Sequence, residues 1–251
     1  MLTRQRKQLI LEHLRRHGQV VAKELSTQWE LSEDTIRRDL RALAAEGALQ
    51  RVHGGALPAS PAIGNFAARQ ALQPQGKEAI AATAAAMVMP GQTIFLDGGT
   101  TCQQLARQLP ATLAATVITH SPTIAIELIA HPLIEVVLIG GHLFKHSVVA
   151  VGAAALEAIQ RVRADLYFMG VTGVHPRSGL TTGDLEEAHI KRALMTQAAE
   201  TWVLASAEKL NTASPCLVAP CKQATGLVVA PGTSRAVLAP FRALGLAVQR
   251  G

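Results

Sequence analysis

Cysteine is scarce in this chain, whose 251 residues contain three: Cys102, Cys216 and Cys221. Three thiols cannot build a disulfide framework, which favours a reducing compartment. Four residues separate Cys216 from Cys221, but no second pair of ligands lies near them in the sequence, as a structural zinc site would require. We therefore expect no metal and no other cofactor.

Long hydrophobic runs are missing as well. Proline, glycine or a charged residue interrupts each apolar stretch well short of the roughly 20 residues needed to cross a bilayer. The first residues lead into Arg4, Arg6 and Lys7 with no apolar segment behind them, which is not the pattern of a secretory signal. The sequence also shows no internal repeat and no low-complexity tract. These absences predict a cytoplasmic protein with no membrane partner.

The composition is that of a folded globular protein, with 49% hydrophobic and 17% charged residues. The length allows one large domain, or one small and one medium domain. The formal net charge is +6, and residues 1–58 hold half of this excess, with ten Lys and Arg against seven Asp and Glu. Such a charge permits a polyanionic partner, but the arrangement of the charges must decide whether one binds.

The N-terminal quarter is predicted to hold three helices and a small hairpin. The predicted elements are a helix ending near residue 17, a helix over 20–28, a helix from Ser32 to about residue 46, and a strand over 49–52. Gly18 and Gly47 are placed to end helices in the left-handed conformation, and Gly54-Gly55 forms the hairpin turn. Three helices with a hairpin make a winged helix-turn-helix, which we assign to residues 1–57.

Residues 58–75 are rich in proline and glycine and are predicted to be a linker, with a short helix possible over 65–72. From residue 76 to 251 helices alternate with apolar strands. The predicted strands cover 93–96, 116–119, 136–139, 165–169, 201–205 and 226–229. Continuous apolar strands such as 136–139 favour a sheet covered on both faces. The fold class is therefore α/β, with a mostly parallel sheet in a larger effector-binding and oligomerisation domain.

The helix after Ser32 has the layout of a DNA-recognition helix. Ile36, Leu40 and Leu43 form one apolar stripe, while Arg38 and Arg41 point away from it. In a major groove, arginine can donate two hydrogen bonds to guanine and threonine can meet a thymine methyl group. The candidate DNA-binding residues are Ser32, Thr35, Arg37, Arg38 and Arg41 on this helix, with Arg51 and His53 on the wing.

A simpler interpretation of these charges stays open. Glu33 and Arg37, like Asp34 and Arg38, are four residues apart and can form solvated ion pairs worth about 0.3 kcal/mol each. The helix cap, the preceding helix-turn and the wing together favour DNA binding.

A glycine-rich loop follows the predicted strand 93–96 and opens a helix. Its residues are Asp97, Gly98, Gly99, Thr100 and Thr101. Exposed backbone N–H groups, threonine hydroxyls and the positive end of a helix suit an anion such as phosphate. The carboxyl edge of a parallel sheet is also where α/β domains bind ligands.

Other loops and a following helix could converge on the same edge. The further candidate residues are Thr119, Ser121, Gly141, Gly170, Thr172, Glu187, Lys191 and Lys209. Glu187 and Lys191 are one helical turn apart, so they could equally be a surface pair. A lone Lys209 could equally be a solvated lysine.

The chain resembles the DeoR family of bacterial transcriptional regulators. The N-terminal match covers 31–40 and 47–56. The C-terminal match covers 97–101, 140–141, 152, 170–173, 179–182 and 187–192. The resemblance implies a sequence-specific regulator that represses a carbohydrate catabolic operon and leaves its operator DNA when a phosphorylated sugar or sugar acid binds. It also implies an effector domain similar in fold to ribose-5-phosphate isomerase, with residues 97–101 holding the effector near Glu187, Lys191 and Lys209.

Two positions depart from the family pattern. Ser206 stands three residues before Lys209, where an aspartate is usual, and His120 stands where asparagine is common. The polar contacts of the effector are therefore expected to differ from those of the family.

Two further expectations concern assembly and catalysis. Because two recognition helices must occupy half-sites about 34 Å or a multiple apart, we expect a homodimer or homotetramer. The alternative function is a sugar-phosphate isomerase fused to a DNA-binding domain, with Asp97 or Glu187 as base and Lys209 stabilising an oxyanion. Few carboxylates stand in these loops, which favours a regulator that is not an enzyme.

Overall fold

The computed structural model describes residues 2–251. These residues form ten α-helices: α1 Thr3–His17, α2 Ala22–Gln28, α3 Glu33–Ala45, α4 Phe66–Gln70, α5 Pro74–Ala85, α6 Thr100–Gln108, α7 Pro122–Leu128, α8 Ala153–Gln160, α9 Leu185–Gln197 and α10 Arg235–Ala243. The strands are β1 Val20–Val21, β2 Gln50–Val52, β3 Gly55–Leu57, β4 Thr93–Leu96, β5 Ala115–Thr119, β6 Ile134–Leu138, β7 His142–Phe144, β8 Val149–Val151, β9 Ala164–Gly170, β10 Gly173–His175, β11 Gly179–Thr182, β12 Ala198–Ala205, β13 Cys216–Ala219, β14 Gly226–Val229 and β15 Ala247–Arg250.

Helices α1, α2 and α3 pack around a small apolar core and carry a three-stranded sheet in the order β1-β3-β2. Ile10, Leu25 and Ile36 lie at the centre of this core and are at most 1% exposed. Gly18 has φ +70° at the end of α1, and Gly47 has φ +72° just after α3. The winged helix-turn-helix predicted from the sequence is confirmed.

One helix prediction in this domain is wrong at its start. Val20 and Val21 were expected to open the second helix, but they form β1 and pair with Ala56 and Gly55 of the wing. Both valines are β-branched, and the pairing with β3 satisfies their backbone groups outside a helix. Helix α2 therefore begins at Ala22.

The larger domain is built on seven parallel strands in the order β15-β14-β12-β9-β4-β5-β6. Helices α5, α6 and α7 cover one face, and α8, α9 and α10 cover the other. Side chains alternate between the two cores: Phe95 and Tyr167 join one, while Ile94 and Phe168 join the other. The α/β class and the parallel sheet are confirmed.

The sheet departs from the prediction at its edges. Strand β6 was expected to be covered on both faces, yet Val137 is 37% and Leu138 is 51% exposed, because β6 is an edge strand. Strand β15 forms the other edge and was not predicted. The hairpin β7–β8 and the antiparallel sheet β10-β11-β13 were also missed.

Residues 58–75 are packed against the larger domain. The hydroxyl of Ser60 donates to the Thr172 carbonyl, and Ala59 forms a parallel bridge with Ala213. Asn65 caps α4 by accepting a hydrogen bond at 2.9 Å from the backbone N–H of Ala68. The short helix suggested over 65–72 therefore forms, while the division of the chain at residues 57 and 75 stays a prediction. Within residues 2–251, no helix combines the length and apolar character needed to span a membrane.

Candidate functional site

Helix α3 buries its apolar side and turns its charged side outward. The Ser32 hydroxyl accepts a hydrogen bond at 3.2 Å from the backbone N–H of Thr35, which caps the first turn. Ile36, Leu40 and Leu43 are at most 2% exposed and form the predicted stripe. The helix is thus held from its inner side, and its outer side is free to meet a partner.

The outer side of α3 carries three arginines. The side chains of Arg37, Arg38 and Arg41 are 57%, 73% and 54% exposed. Arg38 and Arg41 lie 3.2 and 3.8 Å from carboxylate oxygens of Asp34, and Arg37 lies 2.7 Å from Glu33. The solvated ion pairs of the simpler interpretation therefore form. Exposed pairs contribute at most about 1 kcal/mol, so they can exchange for contacts to DNA.

An ion pair missed in the sequence orients α3. Arg6 of α1 donates to both carboxylate oxygens of Asp39, with Nη2 at 3.1 Å from Oδ1. Asp39 is 3% exposed although it carries a charge. The sequence signal for this pair is the place of Asp39 between Ile36 and Leu43 on the apolar side of the helix. The pair fixes α1 against the recognition helix.

The wing is the β2–β3 hairpin, and its turn uses Gly54 at φ +78°. Arg51 and His53 are exposed there, as the predicted contacts to a DNA backbone require. Both also border a cleft between the wing and the β10–β11 hairpin, which contributes His175 and Arg177.

The loop between β4 and α6 requires its two glycines. A Cβ atom on Gly98 would lie 2.2 Å from Cγ1 of Val149, and Gly99 has φ +112°. Gly99 precedes α6, so the N-terminus of this helix faces the neighbouring cavity together with Thr100 and Thr101. The loop therefore has the backbone geometry that the sequence predicted, while its role in binding an anion stays a prediction.

Asp97 lies behind the cavity wall and is fully buried. Its Oδ2 is 2.5 Å from Nζ of Lys191 and accepts from the backbone N–H of Gly170 at 2.8 Å. Its Oδ1 is 2.9 Å from Nε2 of His120 and accepts from the N–H of Gly98. Burial alone raises the pKa of Asp97, but Lys191 and His120 outweigh it and hold this pKa well below its usual range. Asp97 therefore positions the loop and Lys191.

The cavity itself is small, and its basic side chains outnumber the two carboxylates of Glu187 and Glu208. It encloses about 20 Å³, enough for one water molecule. Four basic side chains line it: Arg69, Lys77, Lys191 and Lys209. A recess of about 180 Å³ adjoins it and shares Arg69, Thr172 and Glu187 with it. Arg69 thus stands between the two spaces.

Arg69 and Lys77 were not predicted as site residues. Nε and Nη2 of Arg69 are buried and have no hydrogen-bond partner among residues 2–251. The ammonium group of Lys77 donates to the backbone carbonyl of Arg69, which ties α5 to α4. Sequence reasoning missed Arg69 because its segment, residues 58–75, is rich in helix breakers. The available signal was the short basic helix inside it.

Lys209 is 7% exposed, so the alternative of a solvated lysine is wrong. Burial lowers the pKa of its ammonium group to about 8. Ser206, at the position where a family aspartate was expected, donates at 2.6 Å to Oε1 of Glu208. Glu208 lines the cavity, and its Oε2 has no hydrogen-bond partner within the described chain. Glu208, two residues after Ser206, therefore supplies a carboxylate to the cavity wall.

The structure brings most of the predicted effector residues to one cavity. Those lining it are Gly98, Gly99, Thr100, Thr101, Gly170, Thr172, Glu187, Lys191 and Lys209. The alternative of a surface Glu187–Lys191 pair is wrong, because both residues are at most 6% exposed.

Four predicted effector residues do not line the cavity: Asp97, Thr119, Ser121 and Gly141. The Thr119 hydroxyl donates to the Leu96 carbonyl at 2.7 Å, and the Ser121 hydroxyl donates to the Val148 carbonyl at 3.1 Å. Gly141 is packed so closely that a Cβ would lie 2.7 Å from the Val151 carbonyl. These residues hold loops together in this structure, and their assignment to the effector site stays an untested prediction. No three described His, Cys, Asp or Glu side chains gather as metal ligands.

Two family models match this chain. Residues 6–61 match the DeoR-like helix-turn-helix domain, and residues 72–230 match the DeoR C terminal sensor domain. In part of its fold the chain is similar to ribose 5-phosphate isomerase A from Methanocaldococcus jannaschii, with 18% identity, a TM-score of 0.39, and coverage of 57% of this chain and 54% of that one.

Curated relatives match over most of the chain. The HTH-type transcriptional regulator GolR of Listeria innocua is 32% identical over 98% of this chain and 97% of its own length. GlpR of Haloferax volcanii is 35% identical over 85% of this chain and 84% of its own length. The glycerol-3-phosphate regulon repressor of Escherichia coli K12 is 33% identical over 76% of each chain. The chain therefore belongs to the DeoR family of DNA-binding transcriptional regulators, as its sequence resemblance implied.

Proposed function

We propose that this regulator represses a carbohydrate catabolic operon and releases its operator when a phosphorylated sugar or sugar acid binds the basic cavity. The observation that carries the proposal is the cavity between the glycine loop and Arg69, where four cationic side chains meet the N-terminus of α6. Such a site suits a phosphate dianion. The names of relatives, among them a glycerol-3-phosphate regulon repressor, support the same class of ligand.

The small size of the cavity indicates how ligand binding would release DNA. The space of about 20 Å³ is smaller than a sugar phosphate, so we expect the ligand to displace part of the wall. Arg69 stands on the segment that leads to the wing, and Ser60 of this segment bonds to Thr172 in the cavity wall. A ligand that moves this wall shifts the winged domain. The coupling is limited by the difference in ligand affinity between the two arrangements.

Of the two bases that the isomerase alternative names, Asp97 is not free to act. Both oxygens of Asp97 are engaged with Lys191, His120 and backbone N–H groups, and Asp97 does not reach the cavity. Glu187 remains in the wall, but a general base must reach the proton it removes together with a second acid–base group. These contacts support a sensor and not a catalyst.

The expected homodimer or homotetramer stays a prediction, as does action in the cytoplasm. Exposed apolar side chains concentrate near the β6 edge, where Ile126, Ile129, Leu133 and Leu138 are each more than half exposed. The opposite edge strand, β15, carries Gln249 and Arg250 instead. The β6 edge is therefore the apolar surface available for contact between protomers.

Replacing Arg38 with alanine tests the DNA-binding half of the proposal. Its exposed guanidinium is expected to contact the duplex, so Arg38→Ala should weaken binding to the promoter of its own gene by about 1–3 kcal/mol. Fluorescence anisotropy at fixed salt measures this. Arg15→Ala removes the same charge from α1 and should leave affinity nearly unchanged. Equal affinity of Arg38→Ala and the unchanged protein would refute the assignment of this face.

Binding of a divalent anion should weaken as the pH rises through 8. Because burial lowers the pKa of Lys209 to about 8, its ammonium group loses its proton above that value. Losing one charge-assisted hydrogen bond corresponds to roughly a tenfold loss of affinity. Sulfate stays a dianion throughout, so calorimetry with sulfate at pH 7 and 9 isolates the protein group. Lys209→Met should bind weakly and lose most of this pH dependence, and a flat profile in the unchanged protein would contradict the assignment.

The stability of the folded protein should change with pH in the direction opposite to its anion affinity. Without an anion, the folded protein holds Lys209 at a pKa below that of the unfolded chain. The unfolded state therefore binds more protons between pH 8 and about 10, and stability rises with pH across that window.

A further inference from the structure

The β10–β11 hairpin of the sensor domain lies against the winged domain. Nη2 of Arg177, at the hairpin turn, donates to the side-chain oxygen of Gln19. A cleft of about 520 Å³ lies between the hairpin and the winged domain. One of its walls is the wing, from Gln50 to Leu57. The other wall is formed by the hairpin and by residues 213–215.

The ionisable side chains that line the cleft are all basic. Arg51 and His53 face it from the wing, and Arg177 and His175 face it from the hairpin. No Asp or Glu stands among the described residues that line it. Apolar neighbours such as Leu57 and Leu217 complete the walls, and low-dielectric walls concentrate the field of the arginines.

The hairpin turn holds Arg177 in place. Nδ1 of His175 lies 3.3 Å from the backbone N–H of Arg177 and 3.2 Å from that of Ser178, so this nitrogen accepts both hydrogen bonds. Burial, followed by the charge of Arg177, lowers the pKa of His175, which favours the neutral ring that accepts these two bonds. The Cys221 thiol donates to the His175 carbonyl at 3.4 Å. Arg177 is thus an exposed cation on an anchored turn.

We infer that Arg177 extends the DNA-binding surface beyond the helix-turn-helix and contacts a backbone phosphate next to the wing. A polyanion suits this cleft because Arg51 and Arg177 face it from opposite walls and no carboxylate lines it. Phosphate contacts fix the register of a protein on a duplex, and they need only a correctly placed charge. The inference rests on the proposed function, since it assigns the DNA partner a contact on the sensor domain.

Salt dependence of DNA binding tests this contact. Each phosphate contact contributes about 0.9 to the slope of log K against log salt concentration. Arg177→Ala in the full chain should lower the magnitude of that slope by about one per bound protomer, and Arg177→Lys should restore it. Anisotropy titrations on the promoter duplex at several salt concentrations give the slope.

Two controls separate charge from structure. Gln19→Ala removes the contact between the hairpin and α1 but keeps the charge, so its slope should match that of the unchanged protein. Arg163→Ala removes an exposed charge just before β9, at the opposite end of the strands, and should also leave the slope unchanged.

The outcomes distinguish this inference from the proposed function. If the unchanged protein binds DNA and Arg177→Ala keeps its slope, or if Gln19→Ala lowers it equally, the Arg177 contact is refuted alone. If the unchanged protein does not bind DNA at any salt concentration, both are refuted.

Discussion

Asp97→Ala is expected to destabilise the sensor domain by roughly 3–5 kcal/mol. Asp97 is fully buried, and its removal leaves the Lys191 ammonium group and the N–H groups of Gly98 and Gly170 without their acceptor. At about 2–4 °C per kcal/mol, the melting temperature should fall by at least about 6 °C. Thermal unfolding of the full chain measures this loss.

Two further variants show that an unpaired charge causes the loss. Asp97→Asn combined with Lys191→Met removes both charges and should recover much of the stability, because buried pairs are costly mainly when one partner is lost. Asp184→Ala removes the N-cap of α9 and should cost only about 1 kcal/mol. If Asp97→Ala melts like the unchanged protein, the buried pair does not form.

The same pair predicts sensitivity to acid. The pKa of Asp97 is held below that of the unfolded chain, so its contribution to stability is present above the unfolded pKa of about 4. That contribution decreases as the pH falls below this value. Asp97→Asn should therefore flatten the acid side of the stability profile.

Local sequence patterns were sufficient for most of the fold, because each element has its own signal. The Ser32 cap and the Ile36–Leu40 spacing define α3, and continuous apolar runs define the inner strands. Val20 and Val21 were misassigned because their strand exists only through pairing with the wing, which lies more than 30 residues away. The exposed β6 edge depends on strand order, which periodicity does not contain.

The candidate site was predictable where backbone geometry restricts residue type. Gly98 and Gly99 are such positions, since one has no room for a side chain and the other has a positive φ. Lys209 has no local pattern that distinguishes a buried lysine from a solvated one. Thr119 and Ser121 carry the right hydroxyls, but these bond to backbone carbonyls within the fold. Separating ligand contacts from internal hydrogen bonds requires tertiary structure.

Arg69 lines the cavity from α4, on the segment that follows the wing, and its substitution should separate sensing from stability. In Arg69→Ala, sulfate binding should weaken at least 30-fold, because truncating one partner of a buried charge pair costs about 2–5 kcal/mol. Arg69→Lys should recover part of the affinity, and Gln70→Ala, an exposed neighbour on α4, should change little. Calorimetry with sulfate measures these differences.

Although Arg69→Ala should weaken sulfate binding, it should not lower the stability of the folded protein. Two buried nitrogens of Arg69 have no partner in the described structure, and burying unpaired N–H groups is costly. The unliganded variant should therefore melt at the same temperature as the unchanged protein or higher, and it should stay on its operator in sulfate concentrations that release the unchanged protein. A purely structural arginine would give the reverse, a lower melting temperature with anion affinity retained. That result would remove Arg69 from the sensing site and from the coupling between cavity and wing.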